Sequence, residues 1–173
     1  MLKLIGAAFV LFAGTAFGFA QASRYARRPK ELRQLTHALT TLESEIVYGV
    51  SPLPAAFARV ATAVPQPVSR LFAEMAERLE RGDADTTVDD CWQAAIRFVW
   101  PRLSLGSAER NALLSLRAQL GVTDRADQAK HLRLVLAQLA AEELTAREEQ
   151  ARYEKMWRSA GLLMALLIVI LLY

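Results

Sequence analysis

Long hydrophobic runs lie at both ends of the chain. Residues 4–23 contain no charged side chain, and as a helix they cover roughly 30 Å, one hydrocarbon thickness of a bilayer. The run over 159–173 is also uncharged and shorter, at roughly 20 Å. It is flanked by Trp157 and Tyr173, residue types that settle at membrane interfaces. The pattern predicts transmembrane helices over residues 1–23 and 159–173.

Each run has a competing interpretation. The first run fits a cleaved signal peptide, with Lys3 as its basic start and residues 20–22 as a small-x-small cleavage site. The second fits a buried core helix. Two features favour membrane spans. Five basic residues follow the first run within ten positions, and the last run is hydrophobic all round from Ala160 to Tyr173.

Basic side chains flank both runs on the side of the central segment. Arg24, Arg27 and Arg28 follow the first run, while Arg152 and Lys155 precede the second. Because such residues stay on the cytoplasmic side, we expect residues 24–158 to form a cytoplasmic domain. The chain would then be a multi-pass protein of the cell membrane, with both termini across the bilayer.

The central segment carries apolar positions at helical spacing. Pro29 is a suitable first helical residue, and the stripe that follows predicts one buried helix face, at Leu32, Leu35, Leu39, Leu42 and Ile46. Further helices are predicted over Leu53–Ala61, from Val68 to the stop at Gly82 and Asp83, from a cap at Thr86 or Thr87 to Pro101, and from Ser104 or Ser107 through Leu116 and Leu120 to Gly121. No alternating run predicts a strand.

The last helix is predicted to begin near Thr123 or Asp124 and to run unbroken into the second membrane segment. Its part over Ala141–Lys155 is polar nearly all round, which is typical of a solvated helix, and we interpret it as a stalk. The predicted fold is therefore all-α: a bundle of about six helices between two terminal transmembrane helices.

Candidate catalytic chemistry is sparse in this sequence. Cys91 is the single cysteine, and His37 and His131 lack partners at metal spacing. Asp89 and Asp90 are better explained as first-turn helix acids than as an acid–base pair. We expect no enzyme activity, catalytic residue, metal, cofactor or small-molecule substrate. The pI near 9.3 reflects the flanking arginines, and we expect no nucleic-acid partner.

Small residues recur every fourth position in the first run, at Gly14, Gly18 and Ala22. Such rows let membrane helices approach closely. They also arise by chance in runs rich in alanine and glycine, so helix packing and coincidence both remain open.

The segments together resemble the stage III sporulation protein AB family of endospore-forming bacteria. The resemblance covers essentially the whole chain and is strongest in four stretches: MLKLIGAAFVLFAGTAFGF, RPKELRQLTHALTTLESEIVYGVSPLPAAF, LSLGSAERNALLSLRAQLGVTDRADQAKHLRLVLAQL and EKMWRSAGLLMALLIVILLY. No single motif among them is catalytic or diagnostic alone. Their order and spacing carry the resemblance.

The resemblance implies a membrane platform in the mother cell, within a secretion-like channel between mother cell and forespore. It implies a domain similar to the cytoplasmic domains of type II secretion and type IV pilus platform proteins. The platform would couple a cytoplasmic secretion-type ATPase, of the stage III sporulation protein AA type, to membrane components of the channel. The alternative is a general membrane-tethered helical interaction module outside sporulation.

One run combines this resemblance with charged side chains that a bare core would not need. It spans residues 121–133 (GVTDRADQAKHLR), and we take it as the candidate partner-binding surface, because loops at helix ends often carry binding function. The residues concerned are Asp124, Arg125, Gln128, Lys130 and His131. A capped turn that only begins the last helix explains the same pattern.

Overall fold

A computed structural model describes residues 2–49, 52–82, 86–117 and 125–172. Over these residues the chain is helical, with no strand, and this confirms the all-α prediction. The elements are α1 Leu2–Tyr48, α2 Leu53–Ala63, α3 Val68–Arg81, α4 Val88–Val99, a 3-10 turn Trp100–Arg102, α5 Ser107–Ser115 and α6 Arg125–Leu172.

The chain forms two compact units. One, here called the terminal unit, contains Met1–Pro29 and Thr145–Tyr173, and the other, the bundle unit, contains Lys30–Leu144. Helices α1 and α6 each contribute to both units, so each unit contains part of both long helices.

The core of the bundle unit forms on the apolar stripe of α1, as the sequence predicts. All five members of that stripe are buried. Three aromatic side chains from α2, α3 and α4 pack together, with ring centroids 5.9 to 6.4 Å apart: Phe57, Phe72 and Trp92. The indole Nε1 of Trp92 also donates to the carbonyl of Leu113, at 2.7 Å. Burying an aromatic ring while satisfying its polar atom ties α5 to this cluster.

Local signals set most helix ends. Thr87 caps α4: its hydroxyl accepts the amide of Asp90, and the Asp90 carboxylate in turn accepts the amide of Thr87. This confirms Thr87 as the cap and Asp90 as a first-turn acid. Pro101 ends α4 in the 3-10 turn. Ser107 is the first residue of α5, while Ser104, the alternative start, lies in the preceding loop.

Glycine is required at the end of α1. The amide of Gly49 donates to the Glu45 carbonyl at 2.9 Å, and a Cβ at this position would lie 2.1 Å from the same oxygen. Any larger residue would have to move the backbone, so the sequence ends the helix where only glycine fits. Gly82 ends α3 as predicted. The other predicted stops, Asp83 and Gly121, and the helix position Leu120 lie outside the described residues.

In the terminal unit, the two ends of the chain pack antiparallel. Phe17 lies edge-on to Trp157, with centroids 6.5 Å apart. The rings of Tyr25 and Tyr153 are 5.5 Å apart. Arg28 pairs with Glu149, with Nη1 and Oε2 2.6 Å apart. As residue numbers increase along α1, the residues contacted on α6 have decreasing numbers, which is the pattern of an antiparallel helix pair.

One sequence interpretation is wrong. Pro29 does not begin a helix, because α1 is continuous from Leu2 to Tyr48 and contains it. A proline inside a helix removes one backbone hydrogen bond, and the buried position of Pro29 accounts for its tolerance through packing.

The polar part of α6 is exposed at many of its positions, as expected for a solvated helix, and its role as a stalk stays a prediction, but one side of it pairs with α1. Ala146 is buried with 1% exposure, Glu143 pairs with Arg33 at 3.1 Å, and Glu149 pairs with Arg28. A helix without an apolar stripe is here paired with α1 through ions and small side chains, which a search for apolar periodicity does not detect.

A search of the described residues for a bilayer-crossing helix, sufficiently long and sufficiently apolar, finds none.

Candidate partner-binding surface

The start of α6 is anchored by its inner face. Three side chains at helical spacing are buried in the bundle unit: Leu132, Val135 and Leu139. On the outer side, Arg133 pairs with Glu43 of α1, with Nε and Oε1 2.6 Å apart. The apolar face and this cross-helix ion pair fix which side of α6 is presented to solvent.

The five predicted surface residues do not share one environment. Asp124 lies outside the described residues, and Arg125 is the first residue of α6. Lys130 is exposed and His131 is half-buried. Gln128 is buried at 8% exposure, so its side chain supports the helix and is not offered to a partner. Among those of the five predicted residues whose exposure is described, Lys130 is therefore the exposed one.

The small-residue row of the first hydrophobic run lies in the terminal unit. Gly18 and Ala22 are buried and Gly14 is half-buried. The neighbouring Phe17 contacts Trp157 of α6. A packing role of these three residues within a membrane stays a prediction.

Two buried carboxylates, which the sequence analysis did not single out, hold the loop between α4 and α5. Glu31 of α1 accepts the amide of Ser104 at 2.5 Å, and Glu109 of α5 accepts the amide of Gly106 at 2.8 Å. Both side chains are buried. Charged acceptors of this kind make strong hydrogen bonds to backbone amides, and they fix a loop that would otherwise bury unpaired donors.

A sequence signal for Glu109 was available. It stands three residues after the N-cap Gly106, the position at which an acid returns to the cap amide. Glu31 gave no such signal, because its partner is 73 positions away along the chain.

Glu45 connects the end of α1 to α2. Its carboxylate accepts from the guanidinium of Arg59, and this hydrogen bond holds the pKa of Glu45 below its ordinary value of 4.5. The pair helps to place α2 next to the glycine-terminated end of α1.

Cys91 has the properties of a core residue. It is 3% exposed, and burial raises the pKa of its thiol above the ordinary value, which favours the unreactive form. An open pocket of about 390 Å³ adjoins it between α3 and α4. The charged groups on its α3 wall pair with one another, Glu74 with Arg78 at 2.7 Å and Glu77 with Arg81 at 3.6 Å. The four charged side chains of this wall are engaged in salt bridges with one another. They are not arranged as an acid and a base around a nucleophile.

Metal-binding clusters were sought throughout the described part of the chain. No group of three or more histidine, cysteine, aspartate or glutamate side chains there is placed to hold an ion. Among the acids of α6, Glu143 and Glu149 pair with arginines of α1.

Three comparisons with known proteins agree. The sequence model of a family described as stage III sporulation protein AB matches residues 3–173. The stage III sporulation protein AB of Bacillus subtilis (strain 168) is 41% identical over 172 residues, which is 99% of each chain. A solved structure of a stage III sporulation protein AB superimposes with a TM-score of 0.68 at 37% identity, covering 73% of this chain and 98% of that one.

The match extends from the first hydrophobic run, through the helices of the bundle, to the last one. The fold of the solved relative agrees with the helical architecture described above. By sequence over nearly its full length and by structure, this chain belongs to the stage III sporulation protein AB family.

Proposed function

We propose that this protein is a non-enzymatic membrane platform of the sporulation channel between mother cell and forespore. It sits in the mother-cell membrane with its bundle unit in the cytoplasm. It couples a cytoplasmic secretion-type ATPase, similar to stage III sporulation protein AA, to membrane components of that channel. Membership of a sporulation family supports this role over that of a general interaction module outside sporulation.

One observation carries the membrane part of the proposal: the terminal unit exposes large apolar side chains on both of its helices. Phe12 is 76% exposed and Ile170 is 68% exposed. Others exposed in the same unit are Phe17, Phe19, Met156, Leu163, Leu166, Leu167 and Ile168. Apolar surface of this density is costly in water, and a bilayer is the solvent in which it is stable.

The polar contacts of the terminal unit support a defined orientation. The Tyr25–Tyr153 contact and the Arg28–Glu149 ion pair lie at the end of the unit nearest the bundle segments in sequence. Tyrosine and arginine are residue types that settle at the headgroup level. An interface there leaves the apolar side chains of both helices within the hydrocarbon layer.

The partner part of the proposal rests on the start of α6. Asp124, Arg125, Lys130 and His131 form the proposed contact with the ATPase, and Gln128 supports them from inside the bundle. The inner face of α6 and the Arg133–Glu43 ion pair attach this end of the helix to the bundle unit, so a partner bound here would contact an ordered helix start.

The test is binding of the purified ATPase to the full chain in proteoliposomes. Replacing Asp124, Arg125 and Lys130 with alanine should weaken binding at least about tenfold, because charged contacts at an interface centre contribute a few kcal/mol. The matched control replaces Glu80 and Arg110, both exposed and in other helices, with alanine. Equal ATPase binding by wild type and the triple variant contradicts the assignment.

The gene neighbourhood separates the proposed role from the general alternative. A secretion-type ATPase gene within the same sporulation operon favours the platform. An isolated gene transcribed during vegetative growth would favour a tethered interaction module.

A further inference from the structure

One surface of the bundle unit combines two arginines with an exposed phenyl ring: Arg70 of α3, Phe98 of α4 and Arg102 of the 3-10 turn, here called the arginine–phenylalanine patch. We propose that this patch docks an acidic segment of a partner protein. The two guanidinium groups bind its carboxylates, and an apolar side chain of the segment packs on Phe98. The proposal rests on this surface alone and is independent of the ATPase contact on α6.

The geometry places both cations around one ring. The guanidinium carbon of Arg102 lies 4.8 Å from the ring centroid of Phe98, and that of Arg70 lies 6.0 Å from it. Both distances are within the range of cation–π attraction. The ring holds the two side chains near each other, and Phe98 itself remains 42% exposed.

The positive charge of the patch is not neutralised locally. Within the described part of the chain, neither Arg70 nor Arg102 pairs with a carboxylate. The nearest acid along α3 is Glu74, one turn after Arg70, and its carboxylate is engaged by Arg78 at 2.7 Å. Two like charges held around one ring repel each other, and bound carboxylates would relieve that repulsion.

The chemistry of the patch favours a protein segment over a membrane surface. Its bases are arginines, whose planar forks match carboxylates in bidentate geometry. Its apolar part is one ring bordered by guanidinium groups, whereas helices that lie on membranes present a wide apolar face. Arginine and aromatic residues are also the side chains enriched where protein interfaces concentrate their binding energy.

The test uses the full chain in an uncharged detergent. The probe is a fluorescein-labelled twelve-residue peptide of alternating glutamate and leucine, and its glutamine–leucine counterpart serves as the neutral reference. Wild type should bind the acidic peptide and not the neutral one. The Arg70→Glu/Arg102→Glu variant should lose at least tenfold in affinity and should gain affinity for a lysine–leucine peptide. Phe98→Ala should weaken the acidic peptide several-fold.

The control variant carries the same charge change elsewhere, as Arg81→Glu/Arg110→Glu, and should bind like wild type. If the Arg70→Glu/Arg102→Glu variant fails to fold by circular dichroism, Arg70→Gln/Arg102→Gln replaces it with the same expected loss. The proposal is overturned if wild type shows no preference for the acidic peptide, or if the control loses as much affinity. It is also overturned if vesicles with anionic lipid bind through these arginines and the peptide does not. The Arg70→Glu/Arg102→Glu variant should bind the ATPase as wild type does, so failure of this proposal and failure of the ATPase contact on α6 are distinguishable.

Discussion

Glu31 of α1 and Glu109 of α5 both hold the loop between α4 and α5. Each carboxylate accepts a backbone amide of that loop, and each is buried. Such groups stabilise a fold only while their bonds are intact, because an unpaired buried donor costs about 1–3 kcal/mol. The Glu31 contact ties the loop to α1.

Glu31→Ala tests this contact. The substitution leaves the Ser104 amide without its acceptor, and we expect the free energy of unfolding to fall by about 1–3 kcal/mol. Chemical denaturation of the full chain in detergent, followed by circular dichroism, measures the change. Glu80→Ala, at an exposed position of α3, should stay within about 0.5 kcal/mol of wild type. A Glu31→Ala transition that overlays that of wild type would show that the loop does not depend on this carboxylate.

The Glu45–Arg59 pair predicts a pH dependence. Because the pKa of Glu45 is held below 4.5 by Arg59, the pair stabilises the fold above that value. The contribution is lost as the pH falls through the lowered pKa. Arg59→Gln should therefore lower the melting temperature at neutral pH, and the difference from wild type should shrink as the pH is lowered below 4.5. A constant difference across this range would contradict the prediction, and Arg110→Gln serves as the exposed control.

At the scale of elements, the polar part of α6 pairs with α1 although it carries no apolar stripe. Ala146 is the contact position there, and alanine carries too little apolar surface to mark a stripe. The glutamates around it, taken for solvated groups, include Glu143 and Glu149, which meet Arg33 and Arg28 of α1. The partners in these ion pairs are 110 and 121 positions apart in the sequence, so no local pattern predicts them.

Ala146→Glu tests the buried position of Ala146 in α6. A carboxylate placed at a position with 1% exposure must be desolvated without a designed partner, and we expect a loss of at least about 2 kcal/mol. The matched control is Ala151→Glu, at an exposed position of the same helix. Thermal melting of both variants in detergent checks the difference. Equal melting temperatures would show that burial of Ala146 does not stabilise the fold.

The sequence predicts the elements whose signals are local. The leucine stripe of α1, the Thr87 cap and the helix stop at Gly82 were each predicted from a few neighbouring residues. The errors arise where distant residues decide. Pro29 is tolerated inside α1 because packing overrides its preference, and Gln128 was taken for a surface residue although the bundle buries it. The burial of Gln128 could therefore not be predicted from local sequence, and the partner-binding role of the other residues stays a prediction.

At the scale of the whole molecule, two compact units with different surfaces share two long helices. The bundle unit has a core of buried leucines and the buried rings of Phe57, Phe72 and Trp92, as a domain in water does, while Tyr48, Phe98, Leu134 and Leu144 are exposed. The terminal unit presents phenylalanine, leucine and isoleucine outward. We propose that the two units have different surroundings, water for the bundle unit and lipid for the paired chain ends.

Alkaline carbonate extraction of membranes from sporulating cells, with the intact chain detected by antibody, tests this explanation most directly. Carbonate strips proteins that are held to a membrane by charge and leaves those embedded in the hydrocarbon layer. The account predicts that the full-length protein stays in the membrane pellet and is released only by detergent. Full-length protein in the carbonate supernatant would contradict it.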